Sequence, residues 1–207
     1  MSNVWFTADQ HFGHRNIIKF CNRPFESVEE MDAEMIRRWN AVVEPGDAVY
    51  HLGDFTMEGY AYAKEIFAQL NGRVRILSLL WHHDRRWLKK AQTAPPHTQD
   101  KSYVHSQTFV RLLPPIEVIT VANYADSRST LKERPVKITL GHYPMASWEA
   151  SYHGAWHLHG HSHDQYHGGG FMLDVGVDGW AYAPVSLDEI RTYMKTQEGE
   201  VHARQGA

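Results

Sequence analysis

The sequence predicts an α/β fold, and two patterns of apolar residues support that prediction. In the first half of the chain, short apolar segments alternate with segments whose apolar residues recur every three or four positions, which is the order strand, helix, strand, helix, strand. In the second half, short strand-like segments follow one another with little helix between them. The first pattern favours parallel strands, and the second favours a β-rich region of the same α/β protein.

The alternating half contains five predicted elements. Strands are predicted at residues 4–8, 48–52 and 74–80, and helices at residues 27–43 and 60–70. The apolar residues of the first helix lie on one face, and Ser27 with Glu30 predicts a capping box at its start. Reactive groups collect beyond the carboxyl ends of parallel strands, so the polar residues that follow these strands are candidates for a site.

The β-rich half contains six strand candidates and a closing helix. The strands are predicted at residues 109–113, 116–122, 136–140, 155–158, 171–175 and 184–187, and the helix at residues 188–195. Two polar segments, residues 91–107 and 123–135, are predicted to be surface loops.

The composition is that of a single domain spanning residues 1–207. The net charge of -3 provides no field for holding a long nucleic acid, and no apolar run reaches the length of a membrane span. Cys21 is the only cysteine, which excludes an intramolecular disulfide and a cysteine-based zinc cluster. We therefore expect a cytoplasmic protein that binds neither membranes nor long nucleic acids, while its oligomeric state stays open.

Four short segments place metal-binding residue types at predicted strand ends. They are Asp9-Gln10-His11, Gly53-Asp54, Gly141-His142 and Gly160-His161-Ser162-His163. Each segment alone is common by chance, but the four together are not. Carboxylate and imidazole without thiolate suit Mn, Fe, Zn or Ni, and the set offers enough ligands for two ions.

In this order the segments resemble the blocks of the calcineurin-like metallophosphoesterases, which are D-x-H, G-D, G-N-H-D/E, G-H and G-H-x-H. The third block corresponds here to Trp81-His82-His83-Asp84. The flanking His11-Phe12-Gly13-His14 and Arg23-Pro24-Phe25 are similar to those of small single-domain members from bacteria and phages. The resemblance implies a four-layer α-β-β-α sandwich, in which two mixed β-sheets are flanked by helices.

The resemblance also implies a role for each site residue. It assigns Asp9, His11 and His163 to one metal, and His142 and His161 to a second, with Asp54 bridging the two. It assigns His83 as the proton donor to the leaving group, with Asp84 orienting its ring and raising its pKa.

Several nearby polar residues have open or structural interpretations. His14 and Arg85 are candidate substrate contacts, although an arginine at a helix start is more often a solvated residue. His51, His157 and His159 are expected to be structural histidines, and Asp174 and Asp178 to serve turns.

The sequence departs from the family pattern at Trp81 and His82, where the family has glycine and asparagine. His82 could bind the second metal through its imidazole, or it could turn away and leave that site one ligand short. Trp81 is expected to be a buried aromatic anchor, with stacking on a nucleobase as the alternative.

These residues predict a metal-dependent phosphoesterase, an enzyme that hydrolyses a small phosphomonoester or phosphodiester with water activated by two divalent ions. Mn is the first choice of metal, with Fe, Zn or Ni as alternatives, and a nucleotide is one candidate substrate. A metal-binding scaffold of the same fold with weak catalysis, or a nuclease, are the alternative functions.

Overall fold

The computed structural model describes residues 2–93, 102–105, 108–121, 135–166 and 168–205. The strands in these residues are β1 (Val4–Thr7), β2 (Ala48–His51), β3 (Arg73–Leu77), β4 (Ser102–His105), β5 (Thr108–Leu113), β6 (Ile116–Val121), β7 (Val136–Gly141), β8 (Trp156–His159), β9 (Met172–Asp174) and β10 (Val185–Ser186). The helices are α1 (Arg15–Phe20), α2 (Val28–Val42), α3 (Tyr60–Phe67), α4 (Arg85–Thr93) and α5 (Leu187–Gln205).

The strands form two mixed sheets. The larger sheet has the order β10-β1-β2-β3-β5-β4, in which β1, β2, β3 and β5 are parallel while β10 and β4 are antiparallel edge strands. The smaller sheet has the order β6-β7-β8-β9, in which only the β6–β7 pair is antiparallel. The chain is therefore an α/β protein with two mixed sheets flanked by helices.

Two hydrophobic cores hold these layers together, because alternate residues of a strand point to opposite faces of its sheet. In β3, Val74 and Ile76 pack against helices α1 to α4, while Leu77 faces the other sheet. The second core joins the larger sheet to residues of the smaller one, such as Ile138 and Leu158, and α5 closes it.

The start of α2 follows the predicted capping pattern with one change. The Ser27 hydroxyl accepts a hydrogen bond from the Glu30 backbone N–H at 3.1 Å. The Glu30 carboxylate accepts from the backbone N–H of Glu26 at 2.8 Å, one residue before the N-cap. The helix therefore begins where the sequence predicts.

The predicted loop at residues 91–107 is wrong where it is described, because α4 continues to Thr93 and β4 occupies Ser102–His105. The rest of that segment, residues 94–101, 106 and 107, lies outside the described residues, as does the loop predicted at 123–135 except for Pro135. In the described part of the chain, no helix combines the length and the apolar character that crossing a membrane requires.

Candidate metal centre

The two sheets bring the carboxyl ends of five strands to one place. Asp9 follows β1, Asp54 follows β2, and His82 with His83 follow β3, and these three strands are parallel neighbours. His142 and His161 follow β7 and β8, which are parallel neighbours in the other sheet. A bridge between Ala8 and Gly176 connects the two sets of loops.

Among the described residues, four overlapping groups of side chains could hold a metal ion, and two of these groups together contain all seven predicted ligands. The first group is Asp9, His11 and His163, and the second is Asp54, His82, His142 and His161. In each group the candidate ligand atoms lie within 4.8 Å of one another. The first group is largely buried, whereas His161 in the second is exposed, so the centre is open to solvent at His161.

Asp54 belongs to the second group and also lies close to the first. Its Oδ2 atom is 3.5 Å from Nε2 of His11, in the first group, and 3.4 Å from Nε2 of His142, in the second. Its Oδ1 atom contacts Nδ1 of His82. The carboxylate is only 1% exposed and is therefore shielded from solvent. Asp54 is thus placed to contact ions in both groups.

Several buried ligand atoms have no hydrogen-bond partner among the described residues. They are Oδ1 of Asp9, both ring nitrogens of His11, and Nε2 of His142. Buried polar atoms are almost always satisfied by a partner, so unpartnered atoms on three neighbouring candidate ligands indicate a missing partner. A divalent cation accepts lone pairs from carboxylate and imidazole, and these residues therefore fit a metal centre.

The proton on His142 is placed by its neighbour. Its Nδ1 atom lies 3.0 Å from the carbonyl oxygen of Leu52. Because a carbonyl can only accept, Nδ1 carries a proton, and Nε2, which lies 3.4 Å from Asp54 Oδ2, is the nitrogen that can offer a lone pair to an ion. This hydrogen bond orients the ring for binding an ion.

Burial and mutual charge shift the pKa values of the first group. Burial raises the pKa of Asp9 to about 7 and lowers the pKa of His11 well below its usual value. Burial also lowers the pKa of His163, but contacts with Asp178 and other neighbours outweigh it and raise that pKa to about 10. Without an ion, Asp9 and His163 therefore hold protons that an ion would displace.

In the second group, the pKa of the carboxylate is shifted in the opposite direction from that of Asp9. Burial raises the pKa of Asp54, but His142 and His82 outweigh that effect and hold the pKa far below its usual range. For His142, burial lowers the pKa, and Asp54 and Asp9 raise it by more. Asp54 is consequently charged at neutral pH and ready to bind cations.

Half of the non-glycine residues with positive φ are candidate ligands. Ten of the described residues have this conformation, and five of them, with φ between 47° and 69°, are Asp9, His11, Asp54, His161 and His163. This left-handed conformation costs an L-amino acid roughly 1–2 kcal/mol. Such strain clusters where a site needs side chains to converge, and no sequence signal indicated it.

Arg23 and Asp178 support the first group, and the sequence did not predict this role. Asp178 Oδ2 lies 2.7 Å from Nδ1 of His163. Asp178 was expected only to stabilise a turn, and this contact gives it a further role. Arg23 binds both carboxylate oxygens of Asp178 and also donates to the backbone carbonyls of Asp9 and Gln10. For Arg23, the sequence signal was the Arg23-Pro24-Phe25 segment.

The loop carrying His161 and His163 is tied down close to Asp9. The His161 N–H donates to Asp9 Oδ2 at 2.8 Å. A Cβ atom at Gly160 would lie 2.6 Å from the same oxygen, which explains the glycine before His161. Asp174 accepts from the Ser162 hydroxyl at 2.6 Å and from the backbone N–H of Gly176, as expected for a turn residue.

Asp84 does not orient His83, which corrects the expected role. Its carboxylate is fully buried and accepts from the backbone N–H groups of Phe55 and Thr56 and from Nε1 of Trp87. Among the described residues it has no hydrogen bond with the His83 ring. Asp84 instead fixes the loop that carries Asp54, and burial raises its own pKa to about 6.

His83 faces Asp54, with its Nε2 atom 3.9 Å from Oδ2. Burial, as the largest cause, lowers the pKa of His83, and the neighbouring His82 lowers it further while Asp54 opposes them. The predicted rise in the pKa of His83 is therefore wrong. The lowered pKa favours the neutral form of the His83 ring.

His82 and Trp81, at the departure from the family pattern, have clear positions. The His82 ring turns inward, with ring centroids 4.7 Å from His142 and 5.4 Å from His161. The His82 ring therefore lies next to the other candidate ligands of the second group. Trp81 is 63% exposed, so the expectation of a buried anchor is wrong.

The remaining candidates lie around this centre or in the core. The His14 ring is 5.5 Å from His11 and 6.2 Å from His83, whereas Arg85 is exposed at the start of α4. His51 and His157 are buried, with Nδ1 of His51 accepting from the Gly53 N–H and both nitrogens of His157 near backbone groups. His159 is equally buried, and its Nδ1 atom contacts the Gly160 carbonyl.

The fold and the buried aspartate–histidine cluster define an α/β protein with a candidate metal centre. The chain belongs to the family of Uncharacterized protein MJ1445 of Methanocaldococcus jannaschii, with which it shares 30% identity over 92% of this chain and 90% of that protein. It is also 28% identical to Gene 66 protein of Mycobacterium phage L5, over 92% of this chain and 93% of the phage protein.

A solved structure shows the same fold. It is the crystal structure of the protein of unknown function AQ665 from Aquifex aeolicus, with a TM-score of 0.59, 18% identity, and coverage of 93% of this chain and 100% of that one. No family model matches the sequence.

Proposed function

We propose that the protein is a metal-dependent phosphoesterase with the four-layer fold and catalytic centre of the calcineurin-like metallophosphoesterases. The observation that carries this proposal is the position of Asp54 within reach of both ligand groups, in which buried atoms of Asp9, His11 and His142 lack partners. Two ions sharing a carboxylate are a common arrangement in phosphoester hydrolysis. The order of the sequence blocks supports the same conclusion.

Each group is proposed to hold one divalent ion. Asp9, His11 and His163 would hold the first, His82, His142 and His161 the second, and Asp54 would bridge them. Mn is the first candidate, and the imidazole-rich second group also suits Fe, Zn or Ni. When bound, the ions lower the pKa of water and neutralise charge on a phosphate.

His83 is proposed to deliver the proton to the leaving oxygen. Its side chain is 35% exposed, so a substrate can reach it. A phosphate anion beside the ring raises the pKa that burial has lowered, so the ring takes up a proton as substrate binds. It then donates that proton to the leaving alkoxide.

Asp84 and Arg23 are proposed to act as positioning residues. Asp84 fixes the backbone at Phe55 and Thr56, directly after Asp54. Arg23 holds the carbonyls of Asp9 and Gln10 and the carboxylate of Asp178. Both keep the ligands in place before an ion or substrate binds, so no rearrangement is needed when either arrives.

The test is hydrolysis of p-nitrophenyl phosphate and bis(p-nitrophenyl) phosphate by protein reconstituted with Mn, Ni or Zn. Asp54→Asn should lower turnover by at least ~100-fold, because it removes the shared charge. Asp188→Asn, at an aspartate whose side chain is 86% exposed, is the matched control and should behave as wild type. Absence of turnover with every ion, or equal turnover in the Asp54 variant, would refute the proposal.

A further inference from the structure

The loop between β3 and α4 leaves a tryptophan exposed although its neighbours are anchored. Leu79 is buried in the core between the sheets, and Leu80 packs against the helical core. The His82 N–H donates to the Leu79 carbonyl at 3.2 Å, which closes a tight turn with Trp81 at its corner. The turn is therefore held in place without the Trp81 side chain. This exposed ring, next in the chain to the candidate ligand His82, is available to contact a bound molecule.

A second exposed aromatic side chain lies beside the same ligand group. Tyr143 directly follows His142 and is 38% exposed. Its ring centroid is 4.6 Å from that of His161 and 5.7 Å from that of His82, with interplanar angles of 68° and 86°. The Tyr143 ring therefore packs against two candidate ligands, while part of the ring faces solvent.

We propose that Trp81 and Tyr143 form an aromatic subsite that stacks a nucleobase, so that the substrate is a nucleotide or another nucleoside phosphoester. The inference rests on the proposed function, because it places the phosphate of the same molecule at the metal centre. Trp81 and Tyr143 are chain neighbours of His82 and His142, and both side chains therefore begin next to the second ligand group. Every base has an aromatic face, so stacking of this kind accepts any of them.

Charge favours a small nucleoside ester over a polymer. The chain has a net charge of -3, which disfavours a long polyanion. Arg85, at the start of α4 and four residues after Trp81, is exposed and adds a local positive charge. A single phosphate would therefore find a positive charge near Trp81, and a single base would find the aromatic rings.

The kinetic test compares two diesters that share one leaving group, thymidine 5′-(p-nitrophenyl phosphate) and methyl p-nitrophenyl phosphate. We expect wild-type protein loaded with Mn to prefer the nucleoside ester about tenfold in kcat/KM, which corresponds to ~1.4 kcal/mol. Trp81→Ala and Tyr143→Ala should bring this ratio close to one, mainly through KM for the nucleoside ester, and Trp81→Phe should retain most of it.

The matched control is Tyr152→Ala. Tyr152 is 89% exposed, and its ring contacts none of the candidate ligands in the described part of the chain. This variant should keep the wild-type ratio. If Trp81→Ala and Tyr143→Ala also keep it, the aromatic subsite is wrong even though the enzyme hydrolyses both esters.

A binding measurement separates the subsite from the proposed enzyme activity. Calorimetry with the phosphonate analogues of adenosine 5′-phosphate and of ribose 5-phosphate compares ligands that differ only in the base. Tighter binding of the adenosine compound, lost in Trp81→Ala, would support the subsite even if no ester were hydrolysed. Equal dissociation constants for the two compounds would overturn it.

Discussion

Arg23 and Asp178 lie 155 residues apart in the chain and form a buried, two-pronged ion pair, with Nε 2.7 Å from Oδ1 and Nη2 2.8 Å from Oδ2. The same carboxylate binds His163, and the same guanidinium binds the backbone at Asp9 and Gln10. One pair thus connects the loop after β1 to the loop after β8. Its geometry accounts for the rigid placement of the first ligand group.

Replacing Arg23 with alanine should destabilise the fold. The change leaves His163 as the remaining partner of the buried Asp178 carboxylate and removes the donor to the Asp9 and Gln10 carbonyls, and loss of a buried ion-pair partner typically costs about 3–5 kcal/mol. The free energy of unfolding, from urea titration of the metal-free protein, measures the effect. Arg37→Ala removes an arginine from an exposed pair with Glu34 and should leave the unfolding midpoint unchanged. Equal effects of the two substitutions would contradict this account of the pair.

Metal binding to the first group should release protons in two steps. The pKa of His163 is raised to about 10 and that of Asp9 to about 7, so both groups hold protons that an ion must displace. Between about pH 7 and 10 only His163 is protonated, and affinity should rise about tenfold per pH unit. Below pH 7 Asp9 is protonated too, and the slope should approach a hundredfold per unit.

Calorimetric titration in buffers of different ionisation enthalpy counts these protons directly. Asp178→Asn should reduce proton release at pH 8, because it removes the charge that keeps His163 protonated. The same variant should weaken ion binding by about 10–100-fold. An affinity that does not change with pH would show that neither group binds the ion.

His82→Ala should lower the number of ions bound per chain from two to one, because the second group then loses one of its three imidazoles. His82→Asn, which restores a neutral oxygen ligand, should recover the second ion. Elemental analysis after dialysis against Mn measures this ratio. His153→Ala, at an exposed histidine, is the control and should bind as wild type does. Two ions in the alanine variant would show that His82 is not a ligand.

Gly53→Ala should destabilise the protein and disturb the second ligand group. Gly53 has φ of +114°, and a Cβ atom there would lie 2.4 Å from Leu79 Cδ1 and 3.0 Å from His142 Nδ1. Such overpacking costs up to ~3 kcal/mol. Gly46→Ala is the matched control, because a Cβ atom there meets nothing within 4 Å. Thermal unfolding of both variants checks the difference, and a Gly53 variant as stable as the Gly46 variant would contradict the close approach.

The order and type of most elements could be predicted from the sequence, because local periodicity of apolar residues decides them. Ser27 and the face of α2 are examples. The end of helix α4 was missed because the arginines and lysines around the buried Trp87 and Leu88 obscure the apolar periodicity of the segment. The strand β4 was missed because its pairing with β5 is a tertiary contact that its own residues do not indicate.

The sequence by itself determined which residue types are available for a metal centre and that they follow strand ends. Only the tertiary structure decided how they are used. Asp84 accepts hydrogen bonds from the backbone at Phe55 and Thr56, Asp178 contacts His163, and Trp81 is exposed. The physical reason is that a hydrogen bond or an exposed ring depends on distances between residues far apart in the chain. A local pattern states which groups a residue offers, and packing alone selects the partner.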